Sequence, residues 1–234
     1  MRQIVLDTET TGLAVSQGHR IIEIGCLEMV NRRLTGREYH RFLNPERDID
    51  EGAERVHGIS IEDLAGQPRF ADIAEELLEF LRGSELVIHN AEFDVGFLEH
   101  ELRLMQHPRP AITEHAGVLD TLSLARKLHP GQRNSLDALC KRYFVDASKR
   151  EVHGALIDAE LLARVYLAMT GGQTVLSLDE ESTSDSPADG TASQRSRPSG
   201  LRLRVIGATA EEISAHEALL ERMRDSGVCR WRDT

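Results

Sequence analysis

The chain of 234 residues has room for one sizeable domain and an appendage, with 40% hydrophobic residues to build a core. Its formal net charge of -11 argues against a protein that grips nucleic acid through a broad basic surface, because that affinity comes from clustered Lys and Arg. Cys26, Cys140 and Cys229 stand far apart with no Cys-x-x-Cys spacing, so neither a zinc site nor a disulfide framework is indicated, and free thiols in a reducing compartment are expected.

The first element is the run Gln3 to Gly12. Ile4, Val5 and Leu6 form a short β-branched and apolar stretch ended by a turn signal, which predicts a buried strand. If Asp7 and Glu9 continue that strand, the period of two puts both carboxylates on one face. Adjacent acids repel and gain little from packing, whereas a divalent cation reverses that cost. Magnesium suits such a place, since it takes hard oxygen ligands and only a few carboxylates from the protein. Taken alone, Asp7-x-Glu9 reads equally as a solvated turn. The residues before Asp7 are too few for a signal peptide and no run reaches membrane-spanning length, so a soluble cytoplasmic protein is expected, with no membrane partner.

Arg20 to Val30 alternates as a strand, and Asn31-Arg32-Arg33 turns it into a second strand, Leu34 to Leu43, that stops at Asn44-Pro45. Ser60-x-x-Asp63 is a capping-box pattern for a short helix. From Phe70 to Leu81 the apolar residues repeat at helical spacing, with Gly83 placed as a C-terminal glycine. Leu86 to Ile88 is a short buried strand that delivers Asp94 at the opening of another helix. Helices follow at Thr121 to Leu128, Ser135 to Phe144 and Gly154 to Met169, which together with the hairpin predict an α/β domain with a mixed sheet. Beyond Gly172 the composition changes. Asp179 to Gly200 holds no large apolar residue and reads as a flexible linker. After it, Leu201, Leu203 and Val205 alternate as a strand, and Thr209-x-x-Glu212 caps a helix whose Ile213, His216, Leu220 and Met223 share a face. So short a segment, ending near Trp231, is expected to fold on a partner.

Asp94 alone would be an ordinary first-turn acid, and His153 alone a surface or capping histidine. Asp158, however, sits among Leu156, Ile157, Leu161 and Leu162, where an acid needs a partner. Four acids and a histidine are the parts for two-metal phosphodiester hydrolysis, in which cations roughly 4 Å apart clamp the attacking and leaving oxygens. Histidine is the residue type best matched to taking a proton at neutral pH. Spacing alone does not show that these residues meet.

Asp-Thr-Glu-Thr-Thr-Gly at 7 to 12, Asn-Ala-Glu-Phe-Asp-Val-Gly-Phe at 90 to 97 and His-x4-Asp at 153 to 158 resemble the three exonuclease motifs of the DEDD superfamily, histidine branch. The longer context, including Val56-His57-Gly58, the stretch 133 to 140 and the stretch 165 to 172, is similar to the proofreading ε subunits of bacterial DNA polymerase III over nearly the whole chain. The resemblance implies an RNase H-like fold and 3′ to 5′ removal of nucleotides from single-stranded DNA ends. It implies Asp7, Glu9, Asp94 and Asp158 as ligands of two divalent metal ions, Mg2+ or Mn2+, and His153 as general base, with His57, Thr10 and Gly12 lining the nucleotide pocket. Glu92 departs from the motif, where a small residue is usual, and is expected to point away. Gln173, Leu176 and Leu178 resemble the peptide by which bacterial proteins bind the β sliding clamp; such hexapeptides also occur by chance, and the position before the linker favours the clamp. The tail, with Ile213, Leu220, Met223 and Trp231 as anchors, resembles the segment that binds the polymerase (α) subunit, and a small θ-type subunit is a further candidate partner. The resulting division is an exonuclease domain at 1–172, a linker at 173–199 and a polymerase-binding segment at 200–234. The rival readings are a stand-alone exonuclease trimming RNA or single-stranded DNA and a non-cutting structural subunit; the tail disfavours the first and the intact set of acids the second.

Overall fold

In the computed structural model, which describes residues 1–148, 152–171 and 207–225, the apolar run at the start of the chain is the middle strand of a sheet. β1 (Arg2–Thr10) lies between β2 (Ile21–Val30) and β4 (Glu85–Ile88), with β3 (Arg33–Phe42) outside β2 and β5 (Gly117–Asp120) outside β4. The β1–β2 and β2–β3 pairs are antiparallel, whereas β4 runs parallel to both β1 and β5, so the sheet is mixed. Asn31 and Arg32 both take positive φ, 49° and 64°, the left-handed pair that a tight hairpin between twisted strands requires.

Alternation along β1 divides the core. Ile4 and Leu6 pack with Leu86 against Ile73 and Leu77 of α3 (Phe70–Leu81) and Leu98 of α4 (Ala91–Leu104). Val5, Met29 and Val87 join a separate cluster with Ala125 of α5 (Thr121–Leu128), Leu139 of α6 (Leu136–Arg142) and Leu162 and Val165 of α7 (Ala155–Thr170). The short helix α2 (Ile61–Leu64) starts with the expected box: Ser60 Oγ accepts the Asp63 N–H, and the Asp63 carboxylate accepts the Ser60 N–H. Gly83 takes φ 68° just past α3.

Two elements go beyond the sequence reading: α1 (Glu51–His57), of which only His57 is buried, and the four-residue edge strand β5. β2 also corrects the alternation expected of it. It is covered on both faces, so Glu23 and Glu28 are buried in polar pairs instead of facing water.

Chain contacts divide the molecule into Met1–Leu178 and Asp179–Thr234. In the second unit, α8 (Ala210–Asp225) opens with the expected box, Thr209 Oγ1 accepting the Glu212 N–H while the Glu212 carboxylate accepts the Thr209 N–H. None of its residues is buried. The linker, the strand expected at Leu201 to Val205, Gln173, Leu176, Leu178, Cys229 and Trp231 lie outside the described residues. Among the described residues no helix is long and apolar enough to cross a membrane.

Candidate active site

Asp7 and Glu9 both lie on β1, two residues apart, opposite Gly25 and Glu23 of β2. Gly25 is what lets a helix approach them. A Cβ at that position would stand 2.3 Å from the carbonyl carbon of Ala155 and 2.3 Å from the nitrogen of Leu156, so the first turn of α7 rests directly on the β2 backbone. That contact carries Asp158, one turn further along, to the acids of β1. Ligand atoms of Glu9, His153 and Asp158 all lie within 4.8 Å of one another. His153 Nδ1 is 3.2 Å from Asp158 Oδ2, with Asp158 buried and His153 half-exposed on the solvent side. The His153 backbone N–H donates to Val56 O of α1, which holds the histidine at the mouth of the helix.

Asp94 arrives from the first turn of α4. Thr8 Oγ1 donates to its Oδ1 at 2.7 Å, so the carboxyl is fastened to the strand between Asp7 and Glu9. Burial pushes the Asp94 carboxyl up to about 7, against the hydrogen bonds from Thr8 and the backbone that favour its charged form. Asp7 and Asp94 are not members of the three-residue set within 4.8 Å; the buried Cys26 thiol, pushed far up by burial, is raised further by both carboxylates. Glu92 is exposed.

Glu23 is a functional residue that the sequence reading missed. It is 4% exposed, its Oε2 accepts the Ala155 N–H at 3.1 Å, and its Oε1 lies 2.7 Å from His40 Nε2. An acid at this point satisfies an orphan donor of α7 and complements the helix dipole, so it fixes the helix that carries Asp158. Its signal in the sequence is the one that marked Asp158: a carboxylate inside an apolar run, here Ile21-Ile22-Glu23-Ile24. Glu23→Gln keeps the shape and removes the charge, and is expected to raise the magnesium concentration needed for half-maximal activity by about 10- to 100-fold, as other outer supports of metal sites do. A magnesium titration that superimposes on that of the parent would show that α7 needs no such support.

Beside Glu9 lies a pocket of about 430 Å³ whose walls include Thr10, Gly12, Leu13, Val56, His57 and Phe93. Thr10 Oγ1 donates to Gly12 O, and a Cβ on Gly12 would stand 2.3 Å from the ring of the buried His19, so glycine is required there. His57 Nδ1 accepts the Ile59 N–H, and burial lowers its pKa, as does the nearby His153, while the Thr10 carbonyl opposes them; the ring is neutral with its proton on Nε2.

The family model for exonucleases, RNase_T, matches residues 4–166. Exonuclease X, solved in complex with 5′ overhanging duplex DNA, superposes with a TM-score of 0.55 and 26% identity over 72% of this chain and 91% of its own. Exonuclease I in its apo form gives a TM-score of 0.61 over 73% of this chain and 42% of its own, a likeness of fold alone at 16% identity. The mixed sheet, its flanking helices and the acid site thus define a 3′–5′ exonuclease of RNase H-like fold, in a family that depends on divalent metal.

DNA polymerase III subunit epsilon of Escherichia coli (strain K12) is 51% identical over 236 residues, covering 99% of this chain and 97% of the relative. The same subunit of Rickettsia felis (strain ATCC VR-1525 / URRWXCal2) is 46% identical over 222 residues, covering 94% and 96%. The chain belongs to the family of DNA polymerase III epsilon subunits, the proofreading 3′–5′ exonucleases.

Proposed function

We propose that the chain removes misincorporated nucleotides from the primer 3′ end during replication by two-metal hydrolysis, with Asp7, Glu9, Asp94 and Asp158 holding two divalent ions, Mg2+ or Mn2+, and His153 as general base. The observation that carries this reading is the meeting of Glu9, His153 and Asp158 within 4.8 Å from opposite ends of the unit. The donor set fits: carboxylate oxygens are hard ligands, and two acids on β1 beside Asp94 of α4, whose carboxyl burial pushes up, are unfavourable company without a cation. When bound, such ions lower the pKa of a water and offset charge on the phosphate. The rest falls to the protein. His153, with Nδ1 on Asp158, takes the proton at Nε2 from its half-exposed position. Thr10, Gly12 and His57 hold the terminal nucleotide, and Leu13, Val56 and Phe93 offer the apolar surface that suits a base. An end-labelled degradation assay on matched DNA, mismatched DNA and RNA tests the reading. His153→Ala is expected to lower turnover roughly 100-fold and to change the shape of the pH-rate profile. An unchanged profile would mean that another group takes the proton.

Residues 1–172 carry the chemistry in this reading, 173–199 link, and 200–234 bind the DNA polymerase III alpha subunit. No residue of α8 is buried and Ile213 is exposed, which supports it as a docking helix, with Leu220, Met223 and Trp231 completing the contact. Gln173, Leu176 and Leu178 engage the β sliding clamp, and a small theta-type subunit is a further partner. The chain works in the cytoplasm beside the polymerase, and its net charge of -11 suits a nuclease to which partners deliver the single-stranded 3′ end.

A further inference from the structure

A second cleft, of about 700 Å³, opens where β4 and β5 end, with His89, Asn90, Arg126, His129 and Gln132 on its walls. It shares no lining residue with the pocket beside Glu9. Its position follows from the register of the sheet. Val5 pairs with Val87 in the parallel β1–β4 ladder; two residues on, β1 presents Asp7, whereas β4 ends at Ile88 and the chain turns at His89 and Asn90. Asn90 is also the residue from which α4 springs toward Asp94. The cleft therefore begins where the acid site ends.

The stretch that builds its wall is basic. Against a net charge of -11 for the chain, residues 121 to 145 hold Arg126, Lys127, Arg133, Lys141 and Arg142 with Asp137 as their one acid, and of these Arg126 lines the cleft. Arg126 is exposed and, among the described residues, makes no hydrogen bond or ion pair; its electrostatic neighbour is His89, which burial keeps neutral. The nearest strand-end acid, Asp120, is already saturated by the N–H groups of Asn90 and Leu122 and the hydroxyl of Ser123. The wall itself is firmly built. The buried Asn134 donates its amide to His129 O and Gln132 O and accepts from Arg142, which also donates to Arg133 O. A loop held this firmly by its own scaffold is where binding groups are commonly placed.

We propose that this cleft binds the phosphodiester backbone of the single strand immediately upstream of the scissile bond, with Arg126 as the charged contact and Asn90 and Gln132 as neutral donors. The inference rests on the exonuclease reading above. A guanidinium suits phosphate oxygens, and a lining without Phe, Tyr or Trp suits a backbone better than a stacked base.

The test compares two substrates on the full chain in magnesium. An oligothymidylate of about ten nucleotides is long enough to reach the cleft, and the p-nitrophenyl ester of thymidine 5′-monophosphate has nothing upstream of its phosphodiester. Arg126→Glu is expected to raise the ratio of oligonucleotide KM to ester KM about tenfold, and to flatten the salt dependence of oligonucleotide binding by about 0.7 in log–log slope for a lost phosphate contact. Arg126→Lys, which keeps the charge, is expected to stay within about twofold of the parent ratio. Gln132→Glu, on an exposed loop, is expected to move the ratio in the same direction as Arg126→Glu, so the proposal can be refuted even if one variant folds poorly. A ratio unchanged in both acidic variants overturns the proposal and points to a protein partner for the cleft. A parent chain that cuts neither substrate would overturn the exonuclease reading itself; equal metal-free affinity of parent and Arg126→Glu for the oligonucleotide would then overturn the cleft assignment separately.

Discussion

Asp94→Asn is expected to lower hydrolysis on the order of 10³-fold or more, as for removal of a group that acts as part of a unit, while making the metal-free protein more stable at alkaline pH. The second half follows from burial. The folded chain holds the Asp94 carboxyl at about 7, against about 3.9 for an aspartate in an unfolded chain. Between these values the folded state keeps a proton that the unfolded state has lost, so the stability of the parent falls as pH rises from about 4 to about 7. Asparagine keeps an acceptor for Thr8 Oγ1 and carries no charge to desolvate. Denaturant unfolding in chelator should therefore show the variant gaining on the parent with rising pH, by on the order of 4 kcal/mol between pH 4 and pH 8. Added magnesium is expected to stabilise the parent and leave the variant behind. Near-parental turnover at saturating magnesium would remove Asp94 from the metal site, and a stability difference flat in pH would mean that its carboxyl is not held up by burial.

Gly25→Ala, the addition of one methyl group, is expected to disable the enzyme from a position that bears no functional group. The new Cβ would meet backbone atoms of Ala155 and Leu156 at 2.3 Å, and backbone has no rotamer by which to yield. The first turn of α7 must move away from β2 and take Asp158 and the approach of His153 with it. A displacement of about 1 Å in a catalytic group is enough for roughly a 100-fold loss of rate. The overpacking itself costs typically 1–3 kcal/mol, so the melting temperature should fall too. The discriminating measurement is turnover well below the melting transition, where the variant is folded. Full activity there would show that α7 can shift without spoiling the site.

Much of the site could be read from the chain because its residues break local rules. Asp7 and Glu9 extend an apolar strand with charge, and Asp158 interrupts an apolar helix; each is an acid without a reason until the others are placed beside it. The burial that gives Asp94 its character left no such mark, since an acid in the first turn of α4 is ordinary by itself. Glu23 was hidden by the apparent alternation of β2, which holds only for a strand with one wet face, and β2 has none at that point. β5 was illegible because four residues at a sheet edge, two of them exposed, carry little hydrophobic signal. α1 was illegible for a related reason: apart from His57 it has no buried side chain to set a helical period. Nothing local marks Gly25 either. Its requirement for a bare backbone comes from a helix more than a hundred residues away.

That distance also governs when the enzyme can exist. β1 leaves the ribosome well before α7, which closes the described core of its unit, so the cutting groups are divided between an earlier and a later part of the same fold. Contacts of such long range form late, after the loops between them have been closed. The nascent polypeptide is consequently inert until α7 has been made, and nuclease activity begins only when α7 settles on Gly25, in the same event that buries Val5 and Met29 beneath Leu162 and Val165. Completion of the fold and onset of cleavage are one step, so a prematurely terminated chain lacking α7 has no active nuclease to release into the cell.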